Sequence, residues 1–154
     1  MIYKKLEIKN LKFREQKITD LPLHTKIHHE TLRQYVEPIW GWNETEQDKL
    51  IKDRYDPKNF RFIEKNGEIV GELSIEAREL EYFLSNILIL PDFQNQSIGS
   101  SLIKCLCETA KKQGKAVTLK VLKTNPAITL YQRLGFIEYK EDEFSFYMRW
   151  KLKQ

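Results

Sequence analysis

Cysteine is nearly missing from this chain of 154 residues; the two it has are Cys105 and Cys107. Placed on a helix they point roughly 200° apart, so they do not bridge each other. Neither stands in a metal-type spacing with His24, His28 or His29, and reduced thiols with no metal site are expected. Glycine and proline are scarce as well, at six and five. No repeat, low-complexity tract or Gly/Ser linker interrupts the chain, so a single domain over 1–154 is expected. No apolar run approaches a membrane span, and the opening MIYKKLEIKN alternates charged and apolar residues, unlike a secretory signal. A cytoplasmic protein with no membrane partner follows as the expectation. A strong excess of one charge is also lacking. The net charge of +4, from 26 basic and 22 acidic residues, suits an anionic ligand but forms no basic cluster of the kind nucleic acid demands.

What is present is a clear change of hydrophobic period along the chain. Residues 4–15 alternate, as one or two strands would. Leu23, Ile27, Leu32, Tyr35 and Val36 then make a helical stripe, with Asp20 and Pro22 at its start and Pro38 as its expected stop. The stretch NETEQDKLIKDRY reads as a second helix capped by Asn43, with Glu46 completing a capping box. Two alternating runs meet at Asn66-Gly67, a strong hairpin signal. LEYFLSNILIL follows as a central strand, then a helix from Gly99 to Gln113, a strand KAVTLKVL, a short helix in NPAITLYQRLGF, and closing strands. The predicted order is β, α, α, β, β, β, α, β, α, β, β: a mixed central sheet of six to seven strands flanked by four helices.

One junction invites chemistry. In LPDFQNQSIGSSLIKCLCETAKKQG an apolar strand stops at Pro91, and a short polar loop leads to Gly99 and a helix. The first turn of a helix offers unpaired N–H groups and roughly half a positive charge, a natural seat for phosphate. Small residues (Ser97, Gly99, Ser100) let phosphate oxygens reach the backbone. On spacing alone the same loop serves equally as a plain turn. Further on, Asn125 caps a helix that carries Tyr131, which by itself reads as a packed aromatic.

Taken together, ILPDFQNQSIGSSLI and NPAITLYQRLGF resemble the two signature motifs of the GNAT acyltransferases. The first matches that family's Gln/Arg-x-x-Gly-x-Gly/Ala loop at Gln94-Asn95-Gln96-Ser97-Ile98-Gly99, with Ser97 where glycine is usual. The element order agrees along nearly the whole chain, and EPIWGWNE resembles a segment found in a subset of bacterial members. The resemblance implies an N-acetyltransferase using acetyl-CoA as cosubstrate, with no metal. It implies pyrophosphate on the amides of Gln94, Asn95, Gln96, Ser97, Ile98, Gly99 and Ser100, with Asn125 and Tyr131 bordering the cofactor. The pantetheine arm and thioester carbonyl would meet the backbone of Ile87 and Ile89.

For the chemistry, the resemblance puts the Tyr131 hydroxyl at the departing sulfur. Ordinary pKa values of about 10 for phenol and about 8.5 for thiol make that proton transfer mildly uphill. Glu37 is the expected base, with Glu76 and Glu81 as alternatives, and Tyr35, Glu37, Trp40 and Trp42 as the acceptor contacts; Trp40 and Trp42 fit core packing equally well. Transfer is expected to be direct, to a small-molecule or peptide amine, in a ternary complex, with a homodimer compatible. A non-catalytic acyl-CoA binder or sensor of the same fold is the alternative, and a basic nucleic-acid module a more distant one.

Overall fold

The computed structural model describes residues 1–151. Seven strands form one mixed sheet in the order β1-β2-β3-β4-β5-β7-β6, with four helices, as the hydrophobic periods predict. The strands are β1 (Leu11–Glu15), β2 (Arg61–Lys65), β3 (Glu68–Ala77), β4 (Glu81–Ile89), β5 (Ala116–Leu122), β6 (Ile137–Glu141) and β7 (Ser145–Trp150). The helices are α1 (Leu21–Trp40), α2 (Glu44–Arg54), α3 (Ile98–Lys112) and α4 (Ala127–Arg133). The chain divides into two compact units, one of residues 10–74 and 86–96, the other of residues 1–9, 75–85 and 97 onward.

In the first unit, β1 runs antiparallel to β2, and β2 to β3. Asn66 and Gly67 both hold positive φ, 52° and 83°, which makes the two-residue turn whose twist suits a hairpin. Ile27 of α1, Phe62 of β2 and Leu88 of β4 form a core cluster, with Leu23, Leu32, Ile69 and Leu90 packed on it. Gly71 is required here by contact rather than by conformation. A Cβ at this position would lie 2.1 Å from the carbonyl oxygen of Leu88, far inside any allowed approach. Helix α1 overruns its expected stop and ends at Trp40, with Pro38 inside it. Pro38 forfeits one hydrogen bond in the last turn, and the Gly41 N–H still reaches the Glu37 carbonyl at 2.9 Å. Lys4 and Lys5, expected to begin the first strand, instead lie in a short 3₁₀ turn, Ile2–Lys5.

In the second unit, β4 and β5 pair in parallel from Glu81↔Ala116 to Leu84↔Leu119. The paired register ends there, although β4 continues to Ile89 and β5 to Leu122. β5 then pairs antiparallel with β7, and β7 with β6. Helix α3 buries Ile98, Leu102, Ile103, Leu106, Cys107 and Ala110 at helical spacing. It begins at Ile98, one residue ahead of the expected start.

Candidate active site

The loop between β4 and α3 is shaped by a few local hydrogen bonds. The Leu90 N–H bonds to the Val70 carbonyl at 2.9 Å, and Pro91–Phe93 form one 3₁₀ turn. Gln94 folds back, its Nε2 donating to the Ile89 carbonyl at 2.9 Å. Asn95 and Ser97 both adopt φ of 63°. Ser97 is thus left-handed, the conformation that glycine takes without cost and that other residues take at about 1–2 kcal/mol. It stands at the N-cap of α3 without a side-chain cap. The first intrahelical bond runs from Ser101 N–H to Ser97 carbonyl at 3.0 Å, so the amides of Ile98, Gly99 and Ser100 precede any intrahelical acceptor.

Gly99 supplies the test of fit. Its φ lies outside the positive range, and a Cβ there would meet nothing within 4 Å. The fold therefore has no packing or conformational need for glycine, although glycine in a helix costs about 1 kcal/mol relative to alanine. The space over these amides suits a diphosphate.

Asn125 Oδ1 accepts from the Ala127 N–H at 2.9 Å, which starts α4 one turn before Tyr131. Tyr131 is buried and packs on Phe136 with ring centroids 5.9 Å apart. Ile87 and Ile89 are half-buried on β4. Neither thiol is suited to act as a nucleophile. Burial raises the Cys105 pKa, and burial together with Glu108 pushes that of Cys107 up to about 12, so the reactive thiolate is disfavoured.

The expected acceptor residues lie along the end of α1. Glu37 is exposed and ion-paired with Arg33 at 3.0 Å. Arg33 also lies over the Trp42 ring, 5.6 Å from its centroid, and His29 meets that ring edge-on at 5.2 Å. Trp40 is exposed, and burial raises the Tyr35 pKa. Of the alternative carboxylates, Glu76 pairs with Arg78 at 3.3 Å, and Glu81 accepts from Thr118 Oγ1.

A fully buried ionisable group with three hydrogen-bonding partners lies elsewhere, in the unit of residues 10–74 and 86–96. Glu72 of β3 is fully buried. Its Oε1 contacts His24 Nδ1 at 2.5 Å and accepts from Gln16 Nε2 at 2.6 Å; its Oε2 contacts His28 Nε2 at 2.8 Å. Tyr55 donates to Gln16 Oε1 at 2.7 Å and stacks on His24 at 4.3 Å, while Phe60 meets His24 edge-on at 4.6 Å. Burial pulls the Glu72 pKa up, but the hydrogen bonds from His24 and His28, the His28 charge and the Gln16 bond outweigh it, so Glu72 sits below its ordinary 4.5. Burial, Asp20 and Glu72 push the Tyr55 hydroxyl up to about 12. Ligand atoms of His24, His28 and Glu72 all lie within 4.8 Å of one another. Around a tetrahedral ion with bonds of about 2.0–2.1 Å, however, ligands stand about 3.3 Å apart. The direct contacts here are those of hydrogen bonds. Sequence reasoning missed this cluster. Its signal was present, in two histidines at i, i+4 on α1 and a carboxylate inside the run Val70-Gly71-Glu72-Leu73 of β3.

A mixed sheet, a strand–loop–helix junction with amides that lack intrahelical acceptors, and a helix opened by Asn125 that carries a buried tyrosine agree with the acyltransferase resemblance. The Acetyltransferase (GNAT) family model matches residues 25–136. The [Ribosomal protein bS18]-alanine N-acetyltransferase of Escherichia coli strain K12 is 33% identical over 122 residues, 78% of this chain and 76% of that one. A putative enzyme of the same name from Bacillus subtilis strain 168 is 32% identical over 89 residues, 56% of this chain and 58% of that one. Among solved structures, a paia N-acetyltransferase from Thermoplasma acidophilum in complex with coenzyme A superposes with a TM-score of 0.74. It is 18% identical and covers 92% of this chain and 99% of its own. This chain belongs to the GNAT acetyltransferase family and is an acyltransferase that uses acetyl-CoA as donor.

Proposed function

We propose that the chain transfers the acetyl group of acetyl-CoA to an amine by direct attack within a ternary complex. The single observation that carries this reading is the open space over Gly99 at the amino end of α3, where the chain keeps a glycine its own packing does not require. The donor supplies an activated acyl thioester. The amides of Asn95 to Ser100 hold its diphosphate, with Gln96 and Ser97 at the turn and Asn125 and Tyr131 bordering the arm. The Gln94 N–H, expected to join them, instead donates to the Pro91 carbonyl at 3.3 Å. Backbone groups of Ile87 and Ile89, on the part of β4 beyond its paired register with β5, serve the arm and the charge that develops on the thioester oxygen. Tyr131 assists the departing sulfur.

The acceptor in this reading is a peptide or small-molecule amine that meets Tyr35, Trp40 and Trp42, with Glu37 offering a negative charge to a cationic group at the rim. Relatives named for alanine of a ribosomal protein make a peptide beginning with alanine the first acceptor to try. The reaction is placed in the cytoplasm, with a homodimer compatible. The test is thiol release from acetyl-CoA with a panel of that peptide, spermidine and an aminoglycoside, beside calorimetry of acetyl-CoA alone. Uptake of acetyl-CoA with turnover of one amine supports the reading. Uptake without turnover points to the non-catalytic binder, and no uptake at millimolar levels overturns both.

A further inference from the structure

We propose that His28, paired with Glu72, takes the proton from the acceptor amine, with His24, Gln16 and Tyr55 as positioning residues. This rests on the acyl-transfer reading above. An ionised carboxylate only accepts, so Glu72 orders its neighbours. His24 presents Nδ1–H, His28 presents Nε2–H, and Gln16 presents its amide. The second nitrogen of each ring therefore carries a lone pair. With both rings neutral, the cluster holds one negative charge in a region where Glu72 is fully buried and His24 is 2% exposed. A buried unpaired charge is costly, and uptake of one proton on an imidazole neutralises it.

Access selects which imidazole. Tyr55 and Phe60 close over His24, whereas the His28 side chain keeps 14% exposure, against 3% for His24 and none for Glu72. Position supports the assignment. Glu72 follows Gly71, which lies against the Leu88 carbonyl. The Leu88 side chain packs on Ile27, the α1 residue just before His28. The proton acceptor thus lies at the level of the β4 backbone assigned to the thioester. Glu37 stands nine residues further along α1, about 13.5 Å of helical rise away, exposed and held by Arg33. Among the described residues, Asp20 also bears on the cluster's surroundings through Tyr55, and Arg14 stands 4.0 Å from Asp20.

The step balances. An ammonium acceptor gives one proton to His28 Nδ1, and its nitrogen lone pair attacks the thioester carbon. The C–N bond forms, the C–S bond breaks with its electron pair leaving on sulfur, and the second nitrogen proton ends on that sulfur. His28 returns its proton to solvent, so amide, thiol and one H⁺ are the products.

His28→Gln keeps an N–H for Glu72 and removes the second basic nitrogen. With the alanyl peptide and spermidine as acceptors, kcat/KM is expected to fall about 100-fold at neutral pH. The loss should shrink as pH rises toward the amine's own ionisation, while acetyl-CoA affinity by calorimetry stays unchanged. His28→Ala should regain rate with imidazole in the buffer. Glu72→Gln should move the acid limb of the pH–rate profile to lower pH, because loss of the anion disfavours the protonated cluster. A His28→Gln enzyme with the unaltered acid limb overturns the proposal, as does a loss equal at every pH with no imidazole rescue. Should His28→Gln fail to fold, NMR titration of His28 in the unmodified protein decides, and a ring that keeps one protonation state across the acid limb overturns it. An unmodified protein that takes up no acetyl-CoA sinks the parent reading instead.

Discussion

His24 and Glu72, 48 residues apart in the chain, meet at 2.5 Å in a site closed to solvent. Helix α1 and strand β3 are therefore joined by a buried hydrogen bond as well as by the apolar contacts around Ile27. Removing one partner of a buried pair leaves the other poorly compensated, and His24→Leu is expected to cost about 3 kcal/mol. Urea unfolding checks this, and a change under about 0.5 kcal/mol, the scale of a neutral surface substitution, would show the contact to be incidental.

The same cluster sets a pH dependence. Burial alone would raise the Glu72 pKa, but its hydrogen bonds hold it below 4.5 in the folded protein. A carboxylate depressed on folding contributes stability above its unfolded value, and that contribution is lost as pH falls through its folded value. Thermal melting followed from about pH 5 downward should therefore fall more steeply for the unmodified protein than for Glu72→Gln. Parallel curves would contradict this.

Gly99→Ala separates fold from ligand. Alanine meets no neighbour, so the melting temperature should hold or rise, by up to about 1 kcal/mol of stability. Acetyl-CoA affinity should drop at least about tenfold, or roughly 1.4 kcal/mol. Calorimetry that finds equal affinity for both proteins removes the diphosphate from this turn.

Ser97→Gly is the converse change. It relieves a left-handed serine at φ 63° and should add about 1 kcal/mol of stability with acetyl-CoA affinity equal or tighter. Weaker binding would mean that the Ser97 hydroxyl is itself a ligand to phosphate.

Tyr131→Phe keeps the ring packed on Phe136 and removes only the hydroxyl. Turnover should fall about 100-fold with acetyl-CoA affinity nearly unchanged. Full activity in the variant would assign the sulfur's proton to another donor.

Much of this could be read from the residues before any coordinates. Asn66-Gly67 dictates its hairpin through positive φ, and Asn43 caps α2 by accepting from the Glu46 N–H at 3.0 Å; both are local effects written in adjacent residues. The helix stop at Pro38 was misread because a proline in a last turn loses a single bond and the helix outlasts it. The Glu72 cluster was illegible for a different reason. Its five members come from four separate places, Gln16, helix α1 with His24 and His28, Tyr55, and Glu72 on β3, and only the packing of α1 against β3 brings them together. Glu37, prominent beside the two tryptophans in sequence, lies exposed on α1 with Arg33.

Gly71 and Gly99 carry different kinds of information. The first reports whether a related chain can bring its third and fourth strands to this spacing; the second reports whether it still leaves room for a nucleotide tail. A paralogue with glycine at the former and a bulky side chain at the latter would be a folded protein retired from acyl chemistry. Inspecting a single codon would sort such a chain from its working cousins.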